Sequence, residues 1–316
     1  MLGSPTNTDA IPPAIKAGGR SLSHILEQHR AWVEARPGGV RADLSRATMN
    51  ELRLKNVQLS RADLSLTTWL DAELTGGDLS GAALQRVDFR QARLTSTDFT
   101  GADLTQAQCD QVWMPLVNLS EATLAECSFR KANLEAARFL DARIHESNFE
   151  YANLKKACFH QAKLFHAVFN YAHLEESQLY HVRAQFCRFL ACQLMEANLS
   201  NSVIQDSDFT NSDLTDAKFS RSDLSRSCLN KTSLDGADFR QAKLNGVEFY
   251  GASLAGARFG AASLYCTDLR GANLRAAREM TSEQLCQART DSSTILPNGS
   301  KGPYLRHSGA EKPSVR

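Results

Sequence analysis

The 316-residue sequence has no continuous apolar run long enough to cross a bilayer. Its first twenty residues, MLGSPTNTDAIPPAIKAGGR, also lack the apolar centre of a secretory signal, so a soluble, cytoplasmic protein is expected. Neither sign of charge dominates: 36 Lys and Arg stand against 35 Asp and Glu. That balance argues against a generally polybasic nucleic-acid binder and against a strongly acidic chain. The eight cysteines form no CxxC and no Cys/His pair at finger-like spacing, so reduced thiols are expected rather than a metal site or a disulfide framework. A glycine-rich phosphate loop, HExxH and GxSxG are missing too. With no group of residues that could converge in a cavity, the chain is expected not to be an enzyme and to use no cofactor.

What is present is a period of five. From Leu44 to Leu274 every position ending in 4 or 9 can be taken as a repeat centre, 47 in succession without insertion or deletion. All are Leu, Ile or Phe except Met49, Trp69, Cys109, Met114 and Ala184, and two residues before each centre stands a small or modest side chain, with Leu52 the only violation. The pattern reads Ala-(Asp/Asn)-Leu-x-x, as in "GADLT" and "KANLE".

A helix cannot use this spacing, because five residues advance about 500° and scatter the leucines around the cylinder. A three-residue strand can: the small residue and the centre point the same way, and the Asp or Asn between them faces out. Two polar residues then turn the chain, and the repeated unit makes a β-solenoid. The number of repeats per coil follows from the aromatics. Thirteen of the fifteen phenylalanines are centres, and all thirteen sit at positions ending in 9. Like residues stack only if the repeats per coil are even; two leave no interior and six leave a void, against the close packing of cores. Four repeats, hence twenty residues per coil, is the expectation.

These residues resemble the pentapeptide-repeat proteins. The resemblance implies an all-β solenoid, a right-handed quadrilateral β-helix of about twelve coils over residues 42–278. It also implies a possible role as a DNA-like binder of DNA gyrase or topoisomerase IV, acting as inhibitor or protector. Bulk mimicry fits poorly, since residues 42–277 hold 28 acidic and 25 basic side chains, whereas B-DNA carries one charge per about 1.7 Å. An acidic stripe through Asp206, Asp208, Asp213 and Asp216 is the remaining route. A secreted effector or secretion-associated accessory is a further alternative.

Open solenoid ends need covers. Residues 21–41 read as an N-terminal cap helix and turn, with Leu22, Ile25, Leu26, Ala31, Trp32 and Val33 in helical spacing and Pro37-Gly38-Gly39 as a stop. Residues 279–296 read as a C-terminal cap helix and strand or loop, starting at Thr281 with Gln284 three later and Met280 and Leu285 as staple. Gyrase-directed relatives dimerise through such a helix, which leaves a homodimer open. The tails 1–20 and 297–316, rich in Pro, Gly, Ser and charge, are expected to be disordered.

The candidate partner-binding surface is the belt 145–186. Twenty-residue stacking places His145 under Phe165 and His166 under Phe186, Tyr151 under Tyr171, and His160 under Tyr180 with His181 beside it, all facing out. Phe165 and Phe186 are the two phenylalanines that are not centres, and between residues 127 and 190 nine Lys or Arg stand against six Asp or Glu. Trp113 is a further outward ring, in the irregular stretch "CDQVWMPLV". Aromatic residues concentrated outside a core suggest a protein-binding anchor. A non-enzymatic protein-interaction scaffold is therefore the leading functional expectation, and direct nucleic-acid binding is not expected.

Overall fold

A computed structural model describes residues 16, 17 and 19–313. The chain divides into two compact units, Met1–Cys158 and Phe159–Arg316, and each contains a parallel β-solenoid. Residues bridge to those twenty further on: Asp43 to Asp63 and Thr48 to Thr68 in the first unit, Val168 to Arg188 and His173 to Gln193 in the second. The expected twenty-residue register is the observed one. At each step the centre donates forward, as Leu64 N to the Ala83 carbonyl at 2.8 Å, and the residue before it donates back, as Asp63 N to the Ala42 carbonyl at 2.9 Å.

Along the chain the elements are β1 (Lys16–Ala17) and β2 (Arg20–Ser21), paired antiparallel, and then α1 (Leu22–Val33). In each unit some bridges lengthen to short strands: β3 (Thr123–Ala125) pairs with β4 (Arg143–His145) in the first. In the second, β5 (Lys163–Phe165) pairs with β6 (Arg183–Gln185) and β6 with β7 (Val203–Gln205). Helix α2 (Ser282–Gln287) follows the last regular coil.

The centres are buried and stack on their own kind. Phe129 lies over Phe149 at 5.0 Å, and Phe169, Phe189 and Phe209 form a column with ring centroids 4.9 and 4.5 Å apart, nearly parallel. Centres ten residues apart meet edge to face across the interior, Phe89 with Phe99 at 5.9 Å and Phe159 with Phe169 at 6.1 Å. Both geometries are favoured by the ring quadrupole, the parallel one when offset. Ala184, smaller than any other centre, causes no bulge: it keeps Leu164 and Ile204 as its register partners.

The Asp or Asn between small residue and centre is more than a solvated face. Asp103 Oδ1 accepts from the Thr105 backbone N–H at 3.0 Å and from its hydroxyl at 2.6 Å, and Asp208 and Asp213 do the same for Thr210 and Thr215. These are Asx turns that hold the start of each corner. The corner itself closes by a β-turn such as Ala47 N to the Leu44 carbonyl, 3.0 Å, and its second residue is left-handed, from φ 52° at Glu146 to 62° at Arg46. Such a conformation costs a non-glycine residue about 1 kcal/mol, which the ladder outweighs. At Gly76, φ 69°, a Cβ would meet Asn56 Oδ1 at 2.5 Å, so a larger residue there would have to displace the Asn56 side chain. Inward serines close the wider side: Ser147 Oγ donates to the Leu124 carbonyl at 2.8 Å and accepts from Cys127 N at 3.0 Å. Pro115 fits without disturbing register, since Trp113 bridges both Arg93 and Asn133. Its place is directly after a centre, where Ser45 in the first repeat donates its N–H to Asp43 Oδ1.

Helix α1 begins at Ser21, whose hydroxyl accepts from His24 N. Its buried face is Leu22, Ile25, Leu26 and His29. Val33, expected in the apolar stripe, is exposed, and His29 takes the inward place one turn earlier. Its Nδ1 accepts from Ala42 N at 3.0 Å and its ring stacks on Trp32 at 5.5 Å, which ties the helix to the first repeat. Helix α2 carries the expected capping box between Thr281 and Gln284, with Met280 and Leu285 buried. Gln284 Nε2 donates to the Phe259 and Ala262 carbonyls, both at 2.8 Å, so it satisfies backbone acceptors at the end of the ladder.

The segment from 297 onward differs from the disordered tail expected. Ile295 pairs antiparallel with Lys301, Leu296 and Ala310 are buried, and the Tyr304 hydroxyl bonds Ser282 and Glu311, each at 2.8 Å. Composition hid this because three anchors suffice to fold back a polar segment. The expected disorder of 1–15 and 314–316 falls outside the described residues.

Two outcomes are expected. Phe189→Ala should cost about 3–5 kcal/mol in urea unfolding, and Phe165→Ala much less; similar losses would overturn the inward and outward assignment. Burial pushes the His29 pKa below its ordinary 6.5. Its contribution is therefore present above pH 6.5 and is lost as pH falls from there toward the lowered folded value. The protection factors of hydrogen exchange over residues 22–42, taken against the intrinsic rate at each pH, should fall on acidification in the native chain and not in His29→Asn, which keeps an acceptor but does not titrate.

Candidate functional site

The strand–turn geometry decides which rings reach solvent. Residues flanking a centre on the turn side point out, so Phe165, His166, His181 and Phe186 are exposed and His160 and Tyr180 half-buried. In the second unit these six form two clusters at successive corners of one side. At the corner after β5 and β6, His166 stacks on Phe186 at 5.2 Å and 19°, and Phe165 meets both edge to face, at 4.3 Å from His166 and 5.7 Å from Phe186. At the corner before those strands, His160 lies 4.2 Å from Tyr180 and His181 stands nearly perpendicular to His160 at 5.6 Å. The His160 Nδ1 also lies 3.3 Å from the Tyr180 carbonyl.

Between the two corners lie Lys163 on β5 and Arg183 on β6, directly opposite one another in the ladder and exposed. The sequence reading counted these cations in the belt's charge but did not single them out. Twenty-residue spacing alone would have found them, since 163 and 183 occupy the same outward column. Some charges one coil apart are paired, as Arg226 with Asp206 at 2.6 Å and Lys243 with Asp223 at 3.8 Å. Lys163 and Arg183 have no such carboxylate among the described residues.

Tyr171 is exposed in the second unit at another corner, away from both clusters in register. His145 and Tyr151 are exposed residues of the first unit. Trp113 is 48% exposed there, with Leu116 at 58% close by in sequence, a small apolar spot distinct from the basic one. Among the described residues no group of three His, Cys, Asp or Glu is arranged to hold a metal ion.

Three of the four aspartates of the acidic stripe considered above make internal contacts. Arg226 holds the Asp206 carboxyl below the usual range by a two-pronged contact, with bonds of 2.7 and 2.6 Å. Asp208 and Asp213 are committed to their Asx turns. The thiols divide by burial: Cys109, Cys127, Cys187 and Cys192 are buried, and burial pushes the last three up to about 12. Cys266 and Cys286 are exposed.

Comparison with known proteins follows the repeat. The family model described as pentapeptide repeats (8 copies) matches residues 40–66, 71–108, 118–155, 127–164, 229–260 and 242–278, and the model of a pentapeptide repeat region matches 162–239. No catalytic family is among the matches. No curated protein matches the sequence. Solved structures do: HetL, a pentapeptide repeat protein involved in heterocyst differentiation regulation from the cyanobacterium Nostoc sp. strain PCC 7120, is 23% identical, with 86% of this chain and 96% of that one covered and a TM-score of 0.36. A pentapeptide repeat protein of the Arabidopsis thaliana thylakoid lumen is 21% identical over 38% of this chain and 83% of its own, TM-score 0.29. Full-length QnrB1, a plasmid-mediated fluoroquinolone resistance protein, is 16% identical over 63% and 93%, TM-score 0.25. No described helix is long and apolar enough to cross a membrane.

The burial pattern makes thiol chemistry a direct check. At pH 8 an aromatic disulfide reagent should modify Cys266 and Cys286 rapidly and Cys109, Cys127, Cys187 and Cys192 only after denaturation, when all eight react. Rapid native labelling of Cys187 would contradict its inward placement.

Proposed function

The chain belongs to the pentapeptide-repeat family, and from that premise we propose that it is a non-enzymatic interaction module that docks a protein partner on its exposed aromatic surface. The observation that carries this reading is the outward cluster of Phe165, His166 and Phe186. Phenylalanine is otherwise the residue of the interior in this chain, and Phe186 is 45% exposed. Rings held against each other on a rigid ladder lose little further freedom on binding, which is the property of an interface anchor. The wider belt named from the sequence, His145, Tyr151 and Tyr171 included, belongs to the same proposal, as does a right-handed quadrilateral solenoid of about twelve coils for residues 42–278.

A topoisomerase-directed role by DNA mimicry draws less support, because Asp206 is neutralised by Arg226 and Asp208 and Asp213 serve their own turns. The interaction reading is tested by affinity capture with wild type and with Phe165→Ser/Phe186→Ser, both checked for unchanged thermal unfolding. Recovery of the specific partner should fall by about tenfold or more with the double variant. Equal recovery would leave the rings as a stacking device only.

A further inference from the structure

The two stacked cations point to the chemistry of the partner. Lys163 and Arg183 are register partners in a parallel ladder, a placement in which like charges repel. The two stretches that build this side of the coils, HQAKLFH from 160 to 166 and YHVRAQF from 180 to 186, contain no Asp or Glu. They contain three histidines and three aromatic residues besides the two cations. Some cations of the same unit meet a carboxylate one coil away: Arg226 meets Asp206, and Lys243 meets Asp223. Here no carboxylate of the described residues does so, and the field of both cations is left for an external anion.

We propose that this side of the second unit, Lys163 and Arg183 framed by His160, Tyr180 and His181 at one corner and Phe165, His166 and Phe186 at the other, binds an acidic segment of a partner protein. The proposal rests on the interaction-module reading and assigns its partner a charge. The rings favour carboxylates over nucleobases. His166 and Phe186 already spend one face each on one another, and Phe165 packs perpendicular to both, which leaves fewer ring faces for bases to stack on. Ring edges carry the positive end of the quadrupole and complement a carboxylate, and the Arg183 guanidinium can take one by two parallel hydrogen bonds.

The test uses the full chain and three fluorescent probes: a peptide of alternating Glu and Tyr, its Lys-for-Glu counterpart, and a fifteen-nucleotide oligothymidylate, titrated by anisotropy at low salt. The Glu/Tyr peptide should bind, the Lys peptide should not, and Lys163→Gln/Arg183→Gln should weaken binding by about tenfold or more. Arg258→Gln/Arg278→Gln removes the same charge from another outward column of the same unit and should leave binding within about twofold. Absence of Glu/Tyr binding, equal loss in both double variants, or tighter binding of the oligothymidylate overturns the proposal. The same variants in affinity capture separate the two readings. A partner lost with Phe165→Ser/Phe186→Ser but kept with Lys163→Gln/Arg183→Gln overturns the acidic assignment alone, whereas a partner kept with both overturns the interaction surface itself.

Discussion

Within each unit the structure depends on the parallel backbone ladder that pairs residues twenty positions apart. A centre can donate forward to a fixed carbonyl, as Leu64 does to Ala83, only if the coil above repeats the same corner at the same place. That requirement explains why 47 repeats run without an insertion. One extra residue would move every later side chain to the opposite face, carrying leucine outward and aspartate inward. Left-handed corners are tolerated at dozens of non-glycine residues for the same reason, each small cost being offset by bonds to the coils before and after.

The ladder also determines what is available for function. Inside, side chains meet their own kind in columns, as where Phe189 meets Phe209 at 4.5 Å and Phe219 meets Phe239 at 5.1 Å. Outside, each coil offers the same few outward positions, and a surface is written by what neighbouring coils put in one column. The Phe165–His166–Phe186 cluster and the Lys163–Arg183 pair are such columns, drawn from sequence segments twenty residues apart.

The period made most of this legible in the sequence. Register, the burial of Phe159 or Leu164 and the exposure of Phe165 follow from counting in fives. What escaped has specific causes. His29 was passed over because Trp32 and Val33 completed a plausible apolar stripe, and only the hydrogen bond from Ala42 N shows why an imidazole is wanted there. The order of 297–313 escaped because composition carries no information on one tyrosine reaching Ser282 and Glu311. The aspartates were read as a solvated face, whereas they cap turns. That role is local: one carboxylate oxygen of each is committed to its own turn.

Pro115 shows where this architecture is permissive. It occupies the position directly after a centre, and its carbonyl still accepts from Ser96 N at 3.0 Å. Other repeats satisfy the N–H at this position with a side chain, Asn50 for Leu70 and Asn230 for Tyr250. The corner therefore carries a residue whose identity is uncoupled from the ladder. Surface chemistry can change there, even to an imino acid, without altering the register of anything beneath it. A scaffold that tolerates no change of length thus tolerates wide change of face, and repeats of nearly constant interior can acquire new partners one corner at a time.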